Sequence, residues 1–164
     1  NDLGNLSQRV LSMIFKNCAG VMPALPETPS PEDTVLLDSA DAMLGKVRGH
    51  MDAQSFHDAL RSIWDVVSDA NKYVDTTAPW GLKKTDPARM GEVLAVLAET
   101  IRQAAILVQP VMPDSAGKIL DQLGVADDQR GFDRLAGAGR IVAGVEISKP
   151  EPVFPRYVVE EDEA

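Results

Sequence analysis

The first residues of the chain carry a row of polar side chains at helical spacing. Asn1, Asn5 and Arg9 are four residues apart, so a helix would stack them on one face. Amide and guanidinium groups present hydrogen-bonding atoms that suit the edges of nucleic-acid bases. An ordinary solvated face would look the same. The row alone therefore leaves a base-reading surface and a plain exterior both open.

A tryptophan follows a helix stop further along the chain. Pro79 lacks an amide hydrogen and restrains Ala78, so a helix should end near Thr77 and Trp80 should lie on a turn. A large indole in that position either folds back to cap the core or stands partly exposed as a flat stacking surface. Both interpretations remain open from position alone.

Side chains suited to catalysis are scarce. His50 and His57 are too far apart in the predicted helical arrangement to share a metal ion, and we expect both at the surface. Cys18 falls on an apolar stripe, which favours packing over a nucleophilic role. Neither a GxxxxGK[ST] nor a GxGxxG phosphate loop occurs. The sequence predicts no active site and no metal site.

The charge balance argues against a nucleic-acid binder that relies on phosphates. The 164 residues include 16 basic and 25 acidic side chains, for a net charge of −9. Affinity driven by phosphates would need a basic face. A protein that reads a few exposed bases with a few side chains is not excluded. Lys83, Lys84 and Arg89, near Trp80, could contact a phosphate backbone or form a solvated basic patch.

The remaining composition predicts a globular domain in a reducing, cytoplasmic setting. No run of about eighteen uncharged apolar residues occurs, so we expect no membrane span. The opening residues lack the features of a signal peptide, and a single cysteine excludes an internal disulfide framework. Because the chain does not begin with methionine, we expect it to be a piece of a longer protein.

Apolar periodicity predicts an all-α fold, an antiparallel bundle of about five helices. One helix covers residues 1–18. Ser30 and Pro31 should begin a second helix that Gly49 ends, and Asp86 with Pro87 should begin a fourth, the most buried. A fifth opens at Pro113. The third, expected to be central, runs from Asp52 towards Ala78 with an apolar face of Phe56, Leu60, Ile63, Trp64, Val67, Ala70 and Val74.

The character of the sequence changes after Gly124. Glycines interrupt the pattern, and the prolines from Pro150 to Pro155 allow an edge strand at most. We therefore divide the chain into a helical bundle, residues 1–124, and a glycine-rich segment with an extended arm, residues 125–164, which should lie on a surface. Glu160, Glu161, Asp162 and Glu163 form an acidic tail, expected to be solvated.

Several stretches together resemble a known family. In order, they are Asn5-Leu6-Ser7-Gln8-Arg9, Ala70-Asn71-Lys72-Tyr73-Val74-Asp75, Ala78-Pro79-Trp80 and Gln109-Pro110-Val111-Met112-Pro113. With these, the chain resembles the anticodon-binding domain of bacterial methionyl-tRNA synthetases over essentially its whole length. Asp58-Ala59-Leu60-Arg61 looks like the signature of the wider anticodon-domain superfamily, and Phe154-Pro155-Arg156 is similar to the end of short-form members.

The resemblance implies both a fold and a function. The family consists of class I ligases that activate methionine with ATP and attach it to tRNA with the anticodon CAU, which a helical bundle recognises. By resemblance, Trp80 would stack on the first anticodon base with Pro79 beside it. Asn5 and Arg9 would hydrogen-bond the anticodon bases, and Asn1 would assist. Of the two interpretations of Trp80, the resemblance therefore favours the exposed stacking surface over the core cap.

The family's catalytic motifs, of the HIGH and KMSKS types, are absent from this sequence, as are its zinc knuckle and the dimerising domain that some members carry. The resemblance thus implies that these residues bind no cofactor themselves and that ATP and methionine bind a separate catalytic domain. The expected partners are tRNA and that catalytic domain of the same enzyme. The enzyme should be a monomer, and no membrane should be involved.

Two other hypotheses compete with this one. The first is the anticodon domain of another class I synthetase, such as the cysteine or valine enzyme, against which Asn5, Arg9 and the Pro79-Trp80 pair argue. The second is a helical protein-interaction module, in which the polar row is solvent face and Trp80 caps the core. Binding to a CAU stem-loop would separate them.

Overall fold

The computed structural model describes residues 2–154, apart from the side chain of Ala138. This part of the chain contains six α-helices. They are α1 (Asp2–Asn17), α2 (Pro31–Asp52), α3 (Phe56–Thr77), α4 (Pro79–Thr85), α5 (Pro87–Val108) and α6 (Pro113–Gln122). Three single-turn 3-10 helices follow at Asp127–Gln129, Phe132–Arg134 and Gly137–Gly139. The predicted all-α class is confirmed.

The predicted helix starts are confirmed by their capping geometry. Ser30 Oγ accepts a hydrogen bond from the Asp33 N–H, and the Asp33 carboxylate accepts one from the Ser30 N–H, which completes a capping box before Pro31. The Asp86 side chain accepts a hydrogen bond from the Arg89 N–H at the start of α5. Both helices begin with proline, whose missing N–H costs nothing in the first turn.

The second helix ends later than predicted. Gly49 was expected to close it, but α2 continues to Asp52, and Gln54 takes the left-handed conformation in the connection instead, with φ of 59°. The contact between Asp33 and Tyr73 joins the start of α2 to the end of α3, so these two helices are antiparallel.

The centre of the bundle is α5 rather than α3. Every residue from Val93 to Val108 is buried, and α5 packs against α1, α2, α3, α4 and α6. The expectation that α5 is the most buried helix is confirmed. The expectation that α3 is central was wrong, because α3 keeps a solvent face along its whole length. Phe56, assigned to its apolar face, is 60% exposed.

Buried polar residues on α5 hold the chain after α6 against that helix. Arg102 donates hydrogen bonds to the Arg134 and Leu135 carbonyls and forms an ion pair with Glu99 at 2.8 Å. Glu99 in turn accepts a bond from the Ile141 N–H. The apolar pattern of α5 gave no sign of this cluster.

The described part of the predicted arm lies on the bundle itself. The Met22 N–H donates to the Val145 carbonyl at 2.8 Å, and the Gln122 side chain exchanges two hydrogen bonds with the Glu151 backbone. Ile147 and Val153 are buried. Gly124 permits this approach, because a Cβ atom there would lie 2.7 Å from Val145. The division at residue 124 stays a prediction, and the acidic tail lies outside the described residues.

Candidate nucleic-acid interface

The polar row of α1 lies at the surface, beside α3. Asn5 and Arg9 are exposed, as their four-residue spacing predicts, while the apolar stripe of α1 is buried. An open cleft of about 550 Å³ is lined by Asp2, Asn5, Gln8, Arg9, Ser12 and Asn71. Asn1, the third member of the row, lies outside the described residues. The cleft gives the row amide, hydroxyl and guanidinium groups in one place.

An ion pair joins this row to α3. The Arg9 guanidinium lies 2.8 Å from the Asp75 carboxylate, and their side chains are 42% and 65% exposed. An exposed pair of this kind contributes little to stability, about 0 to 1 kcal/mol. Its main effect is on position, because it holds the Arg9 head group over the last turns of α3.

Trp80 stands on a short helix that follows the end of α3. The Ala78 N–H bonds to the Val74 carbonyl and closes α3, and Ala78 itself takes the left-handed conformation with φ of 43°. The chain then turns into α4, where Trp80 is 54% exposed. The expected turn is therefore a helical turn, and the indole is not sealed in the core.

Trp80 follows Asp75, which binds Arg9, by five positions in the chain. Five residues span at most about 18 Å, and less here because part of the stretch is helical. Pro79, expected to share the surface with Trp80, is instead buried. Its ring packs into the protein and leaves the indole as the presented group.

The basic residues near Trp80 divide into two kinds. Lys83 and Lys84 are exposed on α4. Arg89 was expected to face a phosphate backbone or solvent, and this was wrong. Its guanidinium forms a bidentate ion pair with Asp33, with two distances of 2.7 Å, and also lies 3.2 Å from Glu92.

Asp33 is the centre of a buried cluster formed by Asp33, Tyr73 and Arg89. Its carboxylate is fully buried and also accepts a 2.5 Å bond from the Tyr73 hydroxyl. Burial alone would raise the pKa of Asp33, but bonds from Arg89, Tyr73 and the Ser30 N–H, with the charge of Arg89, lower that pKa from 3.8 to about 2. Burial and the neighbouring carboxylate raise the pKa of Tyr73. At neutral pH, Asp33 and Arg89 are therefore both charged and Tyr73 is neutral.

Sequence reasoning missed four of these residues as parts of the region. Asn71 and Asp75 belong to the quoted motif, and their spacing of four on α3 matches that of Asn5 and Arg9, which could have signalled a second polar row. Asp33 and Tyr73 gave no such signal, because their partner Arg89 lies more than fifty residues from Asp33 and on another helix.

Between residues 2 and 154, no group of three or more His, Cys, Asp or Glu side chains is placed to hold a metal ion. No helix in the same range is both long and apolar enough to cross a membrane. Burial raises the pKa of the Cys18 thiol, so its reactive thiolate form is disfavoured.

Comparison with known proteins agrees with the resemblance in the sequence. Residues 23–164 match the family described as the anticodon binding domain of methionyl tRNA ligase. A methionine–tRNA ligase of Rhizobium meliloti (strain 1021) is 50% identical over 161 residues, which are 98% of this chain and 31% of the relative. One from Mycobacterium tuberculosis (strain H37Rv) is 49% identical over 161 residues, 96% of this chain and 30% of the relative.

Solved structures show the same similarity in three dimensions. The crystal structure of the apo form of Mycobacterium tuberculosis methionyl-tRNA synthetase superposes with a TM-score of 0.91 at 47% identity, over 98% of this chain and 32% of that one. The same synthetase in complex with methionyl-adenylate gives 0.90 at 48% identity, over 95% and 31%. This chain thus spans about a third of the length of its relatives. It belongs to the family of anticodon-binding domains of methionyl-tRNA ligases.

Proposed function

We propose that this chain recognises the CAU anticodon of a methionine-accepting tRNA, as the anticodon-binding part of a methionine–tRNA ligase. Methionine and ATP would then bind a catalytic domain of the same enzyme, which we expect to act as a cytoplasmic monomer. The relatives' names and the family match support the ligase assignment. In this proposal the 164 residues read the tRNA and perform no chemistry.

The observation that carries the proposal is the exposed indole of Trp80, which follows Asp75, the partner of Arg9, by five positions in the chain. RNA loops present unstacked bases, which proteins recognise by stacking on aromatic rings and by hydrogen bonds to the base edges. Trp80 offers a 54% exposed ring, and Asn5 and Arg9 offer the hydrogen-bonding groups. Stacking on one aromatic side chain contributes roughly 1 to 3 kcal/mol per base.

A readout by few residues also fits the charge of the chain. A net charge of −9 is unfavourable for binding along a phosphate backbone. A splayed base needs only a stacking surface and matched polar atoms, so the acidic remainder of the surface does not prevent recognition. Lys83 and Lys84 lie near Trp80 and supply local positive charge.

The proposal is tested by titrating the chain with two anticodon stem-loop RNAs, one with CAU and one with a changed anticodon. We expect tighter binding to the CAU loop. Trp80→Ala should weaken this binding roughly 5- to 150-fold, the loss of one stacked base. The matched control is Phe56→Ala, which removes a similarly exposed aromatic ring (60%) at the opposite end of α3 and should leave binding unchanged.

Equal affinity for both loops would reject anticodon recognition. It would instead favour the helical protein-interaction module, in which α1 and α4 present no base-specific contacts. Circular dichroism of each variant should show unchanged helicity, so that a loss of binding reports a lost contact and not unfolding.

A further inference from the structure

We propose that the buried cluster of Asp33, Tyr73 and Arg89 positions the Trp80 indole, so that these three residues are positioning residues for anticodon recognition without contacting the RNA. The inference deepens the proposed function and rests on it for its RNA-binding part. Its structural part, the restraint of Trp80, can be tested without RNA.

Trp80 lies on α4, a helix of seven residues that spans from the end of α3 at Thr77 to the start of α5 at Pro87. A helix this short is not stable by itself. Its orientation must therefore be set by the two helices at its ends and by the packing of α4 along α5.

The cluster contacts both of the helices that flank α4. Tyr73 lies on the next-to-last turn of α3, and the Thr77 hydroxyl bonds to the Tyr73 carbonyl at 2.7 Å. Arg89 lies on the first turn of α5, where its N–H bonds to the cap residue Asp86. Asp33 bonds to both side chains, at 2.5 Å and 2.7 Å. One buried carboxylate therefore joins the helix that precedes α4 to the helix that follows it.

The junction of α3 and α4 contains a strained residue. Ala78 holds a left-handed conformation, with φ of 43° and ψ of 59°, immediately before Pro79. Such a conformation is strained in a residue with a Cβ atom and persists only when the surrounding structure enforces it. Because the cluster fixes α3 relative to α5, it supplies that enforcement, and it presents the Trp80 ring in one orientation.

The contact between Arg89 and Asp33 depends on the shape of the guanidinium as well as on its charge. The guanidinium meets the carboxylate through two parallel hydrogen bonds, an arrangement that a lysine ammonium cannot reproduce. Tyr73→Phe removes one hydroxyl and Arg89→Lys removes the fork but keeps the charge. Both changes loosen the cluster while leaving the net charge, and hence the general attraction to RNA, unchanged.

The first test uses no RNA. The chain has two tryptophans, so Trp64→Phe leaves Trp80 as the single indole, and its mobility can be measured by time-resolved fluorescence anisotropy. We expect Tyr73→Phe and Arg89→Lys to increase the subnanosecond depolarisation of Trp80. The matched control is Arg140→Lys, which alters the partly buried ion pair of Arg140 with Asp41, on the part of α2 away from its first turn. It should leave the Trp80 anisotropy decay unchanged.

The second test is a double-mutant cycle with the CAU stem-loop RNA. Tyr73→Phe should weaken binding by no more than Trp80→Ala does, and it should cause no further loss in the Trp80→Ala background, because it acts through the indole. A merely structural role would not produce this dependence on Trp80. Helicity is measured for each variant; Tyr73→Phe, which removes a single oxygen, serves if Arg89→Lys does not fold.

The outcomes are distinguishable. Unchanged anisotropy in Tyr73→Phe, or losses of affinity that multiply with that of Trp80→Ala, would overturn the positioning role. If the wild-type chain does not bind the stem-loop, the proposed function fails, while the anisotropy measurement still decides whether the cluster restrains Trp80.

Discussion

At the scale of single residues, Asp75 controls how the Arg9 guanidinium is presented. Asp75 lies 2.8 Å from Arg9 and is itself exposed. Its negative charge would therefore repel the phosphates of any RNA bound at this surface. A single charge at about 4 Å contributes about 1 kcal/mol in water. Asp75→Asn should therefore raise the affinity for stem-loop RNA about fivefold, and it should change the free energy of unfolding by less than about 1 kcal/mol.

Titration of Asp75→Asn with the CAU loop checks this expectation, with unfolding in urea as the stability measurement. Asp69→Asn is a suitable control, because it neutralises another exposed carboxylate of α3 whose partner is Lys72 and not Arg9. A fall in affinity for Asp75→Asn would contradict this prediction, because it would show that the placement of Arg9 by Asp75 matters more for binding than the repulsion between Asp75 and the phosphates.

Asp33 should give stability a specific dependence on pH. Its pKa is lowered to about 2 in the folded protein, so its contribution is complete above the ordinary value of 3.8 and is lost as the pH falls from there towards 2. The shift of nearly two units corresponds to about 2 kcal/mol. The difference in unfolding free energy between wild type and Asp33→Asn should therefore narrow by about 2 kcal/mol between pH 5 and pH 2.

Denaturant unfolding of both proteins across this pH range measures the difference between their free energies of unfolding. The comparison removes the contribution of the other acidic residues, which the two proteins share. A difference in unfolding free energy that does not change with pH would contradict the lowered pKa of Asp33 and the ion pair with Arg89 that contributes to it.

These residues also show what the sequence could predict at this scale. The exposure of Asn5 and Arg9 followed from helical spacing, because the apolar stripe of α1 fixes which face is buried. The pairing of Arg89 with Asp33 could not be predicted from the sequence. An arginine near a turn is normally solvated, and its buried acceptor lies on another helix, α2. Long-range pairing of charges depends on tertiary packing, which periodicity does not contain.

At the scale of helices, the left-handed residue between α3 and α4 allows a direct test. Ala78 and Gln54 both have positive φ, 43° and 59°. Glycine relieves about 1 to 2 kcal/mol of strain at such a position and adds about 0.5 to 1 kcal/mol of freedom to the unfolded chain. Ala78→Gly and Gln54→Gly should each therefore stabilise the chain by about 0.5 to 1 kcal/mol.

The two substitutions should differ in RNA binding. Ala78→Gly permits α4 to reorient and should weaken binding to the CAU stem-loop, whereas Gln54→Gly, in the connection between α2 and α3, should not. Urea unfolding and stem-loop titration measure the two effects separately. Equal affinities for Ala78→Gly and the wild type would argue against a dependence of binding on the junction.

Helix boundaries were predictable where a cap was encoded locally. Two helices begin with a capping side chain followed by proline, at Ser30-Pro31 and at Asp86-Pro87, and this signal lies within a few neighbouring residues. Gly49 did not end α2, because an isolated glycine within a helix is tolerated, and Gln54 takes the left-handed conformation after the helix instead. Phe56 fitted the periodicity of α3 but lies in its first turn, beyond the reach of the core.

At the scale of the whole molecule, the acidic charge predicts weak dependence of RNA binding on salt. With Lys83 and Lys84 as the phosphate contacts, the slope of log K against log salt should be about −1.4, from about −0.7 for each of two contacts on single-stranded RNA. Titrations from low to moderate salt measure this slope. A slope steeper than about −4 would require a further basic face and would contradict a readout by few residues.

The fold as a whole was predictable to the level of an all-α bundle, and the path of residues 125–154 was not. Their glycines and prolines predict an irregular segment, but its position depends on Arg102, which bonds to the Arg134 and Leu135 carbonyls from the centre of α5. The burial of an arginine in an apolar helix cannot be predicted until the groups that pair with it are known.

The central claim, that Trp80 stacks on an anticodon base, is tested most directly by the fluorescence of Trp80 in the Trp64→Phe chain. Stacking on a base should change the indole emission upon saturation with the CAU stem-loop, and a loop with a changed anticodon should produce a smaller change at the same concentration. Unaltered Trp80 emission when the CAU stem-loop is fully bound would contradict the account.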